Sequence, residues 1–292
     1  MIIMSQIRKM LEKLFSKPFH RKQNTWVCVG GTHVGKSHIV SKFPCQDKIA
    51  FVCDSDKTVC ALCDGLGSRE NSHFGAVIIS DAAVDYLANN FDSFFELSIE
   101  EAKKNLLLAI NKKIDIYSFD DKITKSSLEC TLLFIAISRG KYVLGKIGDG
   151  VLGLCKNKRI VDNIYLTKGN EEVEFANSTF TVLDEDAEKH LEIKTGDAND
   201  IDGFFLVSDG LPFLSSKGKT ASKIFDFLQM INDTNYALAK NLIYGDIANK
   251  VRESDFYLDD WSFVFGTFLK KPKKSQLKSY YQSKRGEDEE KE

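Results

Sequence analysis

Residues 30–37 read GGTHVGKS and follow the apolar run WVCV at 26–29. The spacing G-x-x-x-x-G-K-S is that of a loop whose backbone N–H groups cradle phosphates. Accepting it would impose a parallel nucleotide-binding sheet. Such a loop needs a helix that starts at the lysine, because the positive helix end meets the anion. Here the sequel is SHIVSKFPCQD, and Pro44 stops any helix after about two turns. The next two apolar runs, KIAFVC (48–53) and TVCALC (58–63), are joined through the tight link SDKT (55–58). That is a hairpin, which a parallel sheet does not use there. IAFVCD and FFLVSD offer a strand ending in an acid, but short apolar runs ending in Asp are common. The stretch therefore reads as a strand and its exit turn, with a P-loop NTPase kept as a third reading.

Working outward, short runs rich in Val, Phe, Ile or Thr recur between turn residues. They are CTLLFIAIS, KYVLGKIG, VLGLCK, TFTVL, GFFLVS and WSFVFGTFL, with SRGK and KNKR as two further hairpin links. Helical periodicity appears in two pairs, 72–90 with 99–116 and 220–230 with 235–251. Hairpins plus paired helices predict an α+β fold of stacked antiparallel sheets with helices outside.

A chain of 292 residues can bury a core without disulfides or metal staples. Lys plus Arg is 40 against 42 for Asp plus Glu, so no global charge points to nucleic acid. Seven cysteines, mostly in apolar runs, read as reduced core thiols of a cytoplasmic protein. Cys60 and Cys63 form a C-x-x-C, but no second pair stands at ligand spacing, and a strand puts the two on opposite faces. Residues 1–23 form a basic amphipathic leader, with Ile7, Met10, Leu11 and Leu14 at helical spacing among Arg8, Lys9, Lys13 and Lys17. It is expected to dock on a partner or a membrane surface, and no transmembrane segment is expected. The globular region spans 24–270, and 271–292 is a charged tail expected to be disordered.

Four acidic stations sit at strand ends: Asp47 in PCQDKIAF, Asp64 in CALCDGLGS, Asp209 in FFLVSDGLP and Asp260 in YLDDWSFVF. Converging carboxylates repel unless cations lie between them. All-oxygen ligands favour Mg²⁺ or Mn²⁺. Gly65 lets the chain turn after Asp64, so that its carbonyl can face the same ion. A water bridging two such ions is acidified into a nucleophile, and a phosphate ester is the matching substrate. Asp54, Asp56 and Asp202 read as turn residues.

In order, the chain gives SHIVSKFPCQD, VCALCDGLGS, LECTLLFIAI, VLGKIGDGVL, FFLVSDGLP and LDDWSFV. This set resembles the type 2C metal-dependent serine/threonine phosphatases, the PPM family, and most of all its bacterial branch. The resemblance implies a central β-sandwich of two antiparallel sheets flanked by helix pairs, in α-β-β-α layers. It also implies hydrolysis of phosphoserine and phosphothreonine in proteins by water bridging two Mg or Mn ions, and a cognate serine/threonine kinase as a possible partner. By motif, Asp64 bridges both metals and the Gly65 carbonyl binds one. Asp209 and Asp260 hold the other, and Asp47 serves the ion of Gly65. Asp64 and Asp209 carry the catalysis in this reading. Asp260 is chosen over Asp259 because the family's ligand directly precedes the final strand. Asp149, in IGDG, matches the position some members use for a third metal.

Departures accompany the match. Leu66 stands where animal members carry a His, and the phosphate-gripping Arg has no counterpart. Lys36 or His38 is the substitute for contacting substrate phosphate, and His38 has a second reading as a hydrogen bond that fixes the turn. Phe213 stands where many members have a second Asp for the third metal, which puts that site in doubt. These departures sustain an alternative function, a pseudophosphatase that binds phosphoproteins without turnover.

Overall fold

The computed structural model describes residues 25–54, 56–117, 123–164, 179–211, 219–253 and 258–269. Trp26–Phe268 forms one compact unit. The expected leader, the expected tail and Phe213 lie outside the described residues. Among the described residues the strands are β1 (Thr25–His33), β2 (Lys48–Cys53), β3 (Lys57–Cys63), β4 (Leu132–Ser138), β5 (Lys141–Ile147), β6 (Val151–Lys156), β7 (Arg159–Ile164), β8 (Glu192–Asp197), β9 (Gly203–Val207) and β10 (Trp261–Leu269). The helices are α1 (Lys36–Ser41), α2 (Ser72–Phe95), α3 (Ile99–Tyr117), α4 (Ala187–His190), α5 (Lys219–Asp233) and α6 (Tyr236–Arg252).

Alternation along the strands builds three apolar layers. Val59, Ala61, Phe134 and Ala136 face Ile79 and Leu87 of α2 and Leu106 and Ile110 of α3. Cys60, Leu62, Leu133, Ile135, Leu144, Phe204, Leu206 and Val264 fill the space between the sheets. Phe205, Val207, Trp261, Phe263 and Phe265 meet Phe227 and Ile231 of α5 and Ile243 and Ile247 of α6. The sheets run β1-β10-β9-β6-β7 and β2-β3-β4-β5-β8, with antiparallel registers at β9–β10, β6–β9, β2–β3 and β3–β4. The α-β-β-α sandwich of two antiparallel five-stranded sheets is the architecture expected from the sequence. Cys60 and Cys63 fall in different layers, as alternation requires.

Where the elements differ from expectation, local chemistry explains it. TFTVL is a turn, because Asp184 accepts from both the N–H and the hydroxyl of Thr181 (2.7 and 2.9 Å). β8 lies at a sheet edge with Ile193 buried between exposed neighbours, too weak an alternation to stand out. The helical pattern ending at Asn90 marks a kink, where φ is −124° and ψ is 16°, and α2 continues beyond it to Phe95. Asp54 closes the β2–β3 hairpin by accepting from Asp56 N–H and Lys57 N–H.

Candidate metal centre

The end of β3, the β5–β6 turn and the end of β9 meet at one mouth of the sandwich. There Asp64, Asp149 and Asp209 each offer a carboxylate oxygen within 4.8 Å of the others. Two backbone devices aim them. Thr131 clamps the end of β3, its N–H donating to the Asp64 carbonyl (2.8 Å) and its hydroxyl accepting from Asp64 N–H (3.0 Å). The β5–β6 turn passes through Gly148 and Gly150, with φ of 91° and 85°, which L side chains rarely adopt. A Cβ on Gly148 would lie 2.5 Å from Thr131, and one on Gly150 would lie 3.0 Å from the Val207 carbonyl. Asp149 is thereby suspended between the clamp of Asp64 and the strand that ends at Asp209.

Asp47 lies beside the cluster, near enough for its charge to raise Asp64. It is 2% exposed, and among the described residues neither of its carboxylate oxygens makes a hydrogen bond of ordinary geometry, although the Ser262 and Ser208 hydroxyls stand close enough to ease its charge; one oxygen of Asp209 is likewise without a partner. Burial pushes the Asp47 carboxyl to about 7, tempered by the Ser262 and Ser208 hydroxyls. Burial, then the charges of Asp47, Asp209 and Asp149, push Asp64 up as well. Asp149 is raised to about 6 by burial and by Asp209. Orphaned buried carboxylates that repel one another and offer only oxygen are a donor set for hard divalent cations. The residues present fit such ions.

Asp260 behaves differently from the sequence expectation. Its buried carboxylate accepts from Gly35 N–H (2.6 Å), from Gln46 N–H (2.5 Å) and pairs with His38 Nδ1 (2.9 Å). Both oxygens are therefore committed to organising the 35–46 loop. Asp259 accepts only the Asp260 N–H among the described bonds (2.8 Å). Burial and then the neighbouring charges of Asp209 and Asp260 raise its carboxyl, against the pull of that N–H and of His38. The two adjacent aspartates thus differ in their partners: Asp260 gathers the 35–46 loop, whereas Asp259 accepts only the neighbouring N–H among the described bonds.

His38 Nδ1 pairs with Asp260 at 2.9 Å, the kind of contact that the turn-fixing reading expects. Lys36 is half-buried at the first position of α1. The Gly65 backbone is not left-handed; glycine is needed because a Cβ would come within 2.8 Å of Ser72. Gln46, not singled out from the sequence, joins the stations: its carbonyl accepts from Gly65 N–H (3.1 Å) and its side chain reaches Ser72 Oγ and the Leu66 carbonyl. In the GGTHVGKS stretch two of the amides a phosphate would use are taken, Gly35 N–H by Asp260 and Ser37 N–H by the Leu258 carbonyl (3.0 Å).

Residues 34–243 match the family model described as Protein phosphatase 2C. The chain belongs to that family. The protein phosphatase 2C match stops short of Asp259 and Asp260. Serine/threonine-protein phosphatase 3 of Escherichia coli (strain K12) is 27% identical over 202 residues, 65% of this chain and 76% of its own. The serine/threonine phosphatase Stp1 from Staphylococcus aureus shares the fold, with a TM-score of 0.54 at 14% identity over 86% of this chain and 99% of its own. So does the catalytic domain of the phosphatase PstP, crystallised with two manganese ions, with a TM-score of 0.53 at 15% identity over 84% of this chain and 99% of its own. Among the described residues no helix is long and apolar enough to cross a membrane.

Proposed function

We propose that this protein phosphatase 2C member is a metal-dependent serine/threonine phosphatase that hydrolyses phosphoserine and phosphothreonine in proteins, counteracting a cognate kinase. The observation that supports it is the convergence of Asp64, Asp149 and Asp209 beside orphaned Asp47. In this reading Asp64 is the shared ligand, Asp47 and the Gly65 carbonyl serve one side, and Asp209 with Asp259 serves the other. Two Mg²⁺ or Mn²⁺ ions bound there would supply Lewis acidity toward the phosphate oxygens and toward the attacking water.

The chain's own residues do the rest. Thr131 holds Asp64 in place, and the Gly148–Gly150 turn holds Asp149 in place. Asp260, through Gly35, Gln46 and His38, fixes the loop that carries Lys36. Lys36 is assigned to meet the substrate phosphate as a point charge, without the bidentate fork of an Arg.

Mn²⁺-dependent turnover of p-nitrophenyl phosphate and of a phosphothreonine peptide tests the proposal. It should vanish with EDTA and in Asp64→Asn; turnover that survives EDTA refutes the metal mechanism. The commitment of Asp260 to the protein favours one second reading, a phosphoprotein-binding pseudophosphatase. Tight binding of Mn²⁺ and phosphopeptide with no turnover would select it.

A further inference from the structure

One rim of the candidate site is apolar and faces solvent. α1 buries none of its six residues, and Ile39 and Val40 are 55% and 84% exposed. Phe74, in the first turn of α2, is 50% exposed. A row of rings joins the two elements: His38 to Phe43 (5.5 Å between centroids), Phe43 to His73 (6.1 Å) and His73 to Phe74 (4.0 Å). The row is tied to the site at both ends. His38 pairs with Asp260. Ser72, next to His73, accepts from the Gln46 side chain and lies against Gly65, where a Cβ would come within 2.8 Å of its Oγ. His73 Nδ1 is buried with no partner among the described residues, and burial lowers its pKa, so His73 adds no charge near neutral pH. Residues 35–46 carry Lys36 and Lys42 and no acid. Exposed apolar side chains grouped in this way mark an interaction surface, and the lysines beside them favour a partner that brings negative charge.

We propose that, given the phosphatase reading above, the ridge of Phe43, His73 and Phe74 with Ile39 and Val40 docks an apolar side chain flanking the phosphorylated residue. The substrates selected are phosphoproteins in which an aliphatic or aromatic residue stands beside the phosphoserine or phosphothreonine. Lys36 meets the phosphate, and the ridge covers its neighbour. A flanking side chain takes no part in bond breaking, so its burial is the same before and during the reaction. It therefore lowers KM and leaves kcat in place.

Two phosphothreonine peptides, identical except for Leu or Ser on both sides of the phosphothreonine, test it with the full chain and Mn²⁺. The wild type should show a KM about tenfold lower for the Leu peptide, at similar kcat. The ratio of the two KM values, read within each variant so that a general loss of activity cancels, should approach one in Phe74→Ser and fall in Val40→Ser. Equal KM values in the wild type, or a ratio unchanged in both variants, overturn the ridge and leave the phosphatase reading standing. Absence of Mn²⁺-dependent turnover of p-nitrophenyl phosphate by the wild type overturns the phosphatase reading instead. Calorimetry with the same two peptides then decides the ridge, and equal affinities overturn it too. Self-association seen by sedimentation, abolished in Phe74→Ser and accompanied by no peptide preference, gives the ridge to a second copy of the chain and overturns the proposal.

Discussion

Asp259 and Asp260 are neighbours in sequence with different hydrogen-bond partners, and single substitutions test the division of roles proposed for them. Asp260→Ala strands the Gly35 and Gln46 N–H groups and the His38 ring. Unfolding in urea should register a loss of about 2–4 kcal/mol in the ion-free protein. Asp260→Asn keeps one acceptor oxygen and should lose less. Asp259→Asn should leave urea stability within about 0.5 kcal/mol yet weaken Mn²⁺ binding measured by calorimetry. The reverse pattern would return the ligand role to Asp260. No spacing rule could have sorted the two, because both precede β10 and the difference is which backbone amides lie within reach. Asp64, Asp209 and Asp149 were legible because each stands next to a glycine at a strand end, a pattern that exposes a carboxylate at the rim of a sheet. The burial of Lys146, 2% exposed in β5, was not, since a lysine inside the run KYVLGKIG reads as an outward-facing residue until the layer it enters is known.

At the scale of the element, α1 shows how a motif can be present without its function. Its first amides are occupied by Asp260 and the Leu258 carbonyl, so no phosphate can take them. Lys36→Ala should leave ATP binding as it is in the wild type, at background in equilibrium dialysis, while reducing phosphatase turnover. Gly35 is needed for contact with the opposite loop: a Cβ there would lie 2.2 Å from the Asp259 carbonyl carbon. Gly35→Ala should therefore displace the 258–260 turn, lowering the unfolding midpoint and Mn²⁺ affinity together. Short apolar runs between turn residues announced β1 to β6, β9 and β10, and the paired helical patterns announced the outer layers. The edge strands β7 and β8 escaped, as did the turn at Thr181, where a single Asp184 overrides the apolar run.

Across the whole molecule the acidic mouth sets how stability responds to pH and ions. Asp47 moves from the ordinary 3.8 to about 7 on folding, so between those values the folded chain holds a proton that the unfolded chain has lost. Its contribution to stability is largest below pH 4 and is lost as pH rises through 7. Asp149, at about 6, acts in the same direction. Thermal unfolding of the ion-free protein should therefore show a midpoint falling from pH 5 to pH 8. Saturating Mn²⁺ should abolish the fall and raise the midpoint, since ions bind only the folded cluster. The order of apolar runs, their alternation and the acids closing them determined the layers, the sheets and three of the converging carboxylates, because burial periodicity and strand-end placement are local properties of a chain. That Asp260 gathers Gly35, Gln46 and His38 while its neighbour Asp259 does not, and that a lysine is buried at 146, were decided only by tertiary structure. The first depends on groups more than two hundred residues apart meeting in space, and the second on the layer that β5 enters.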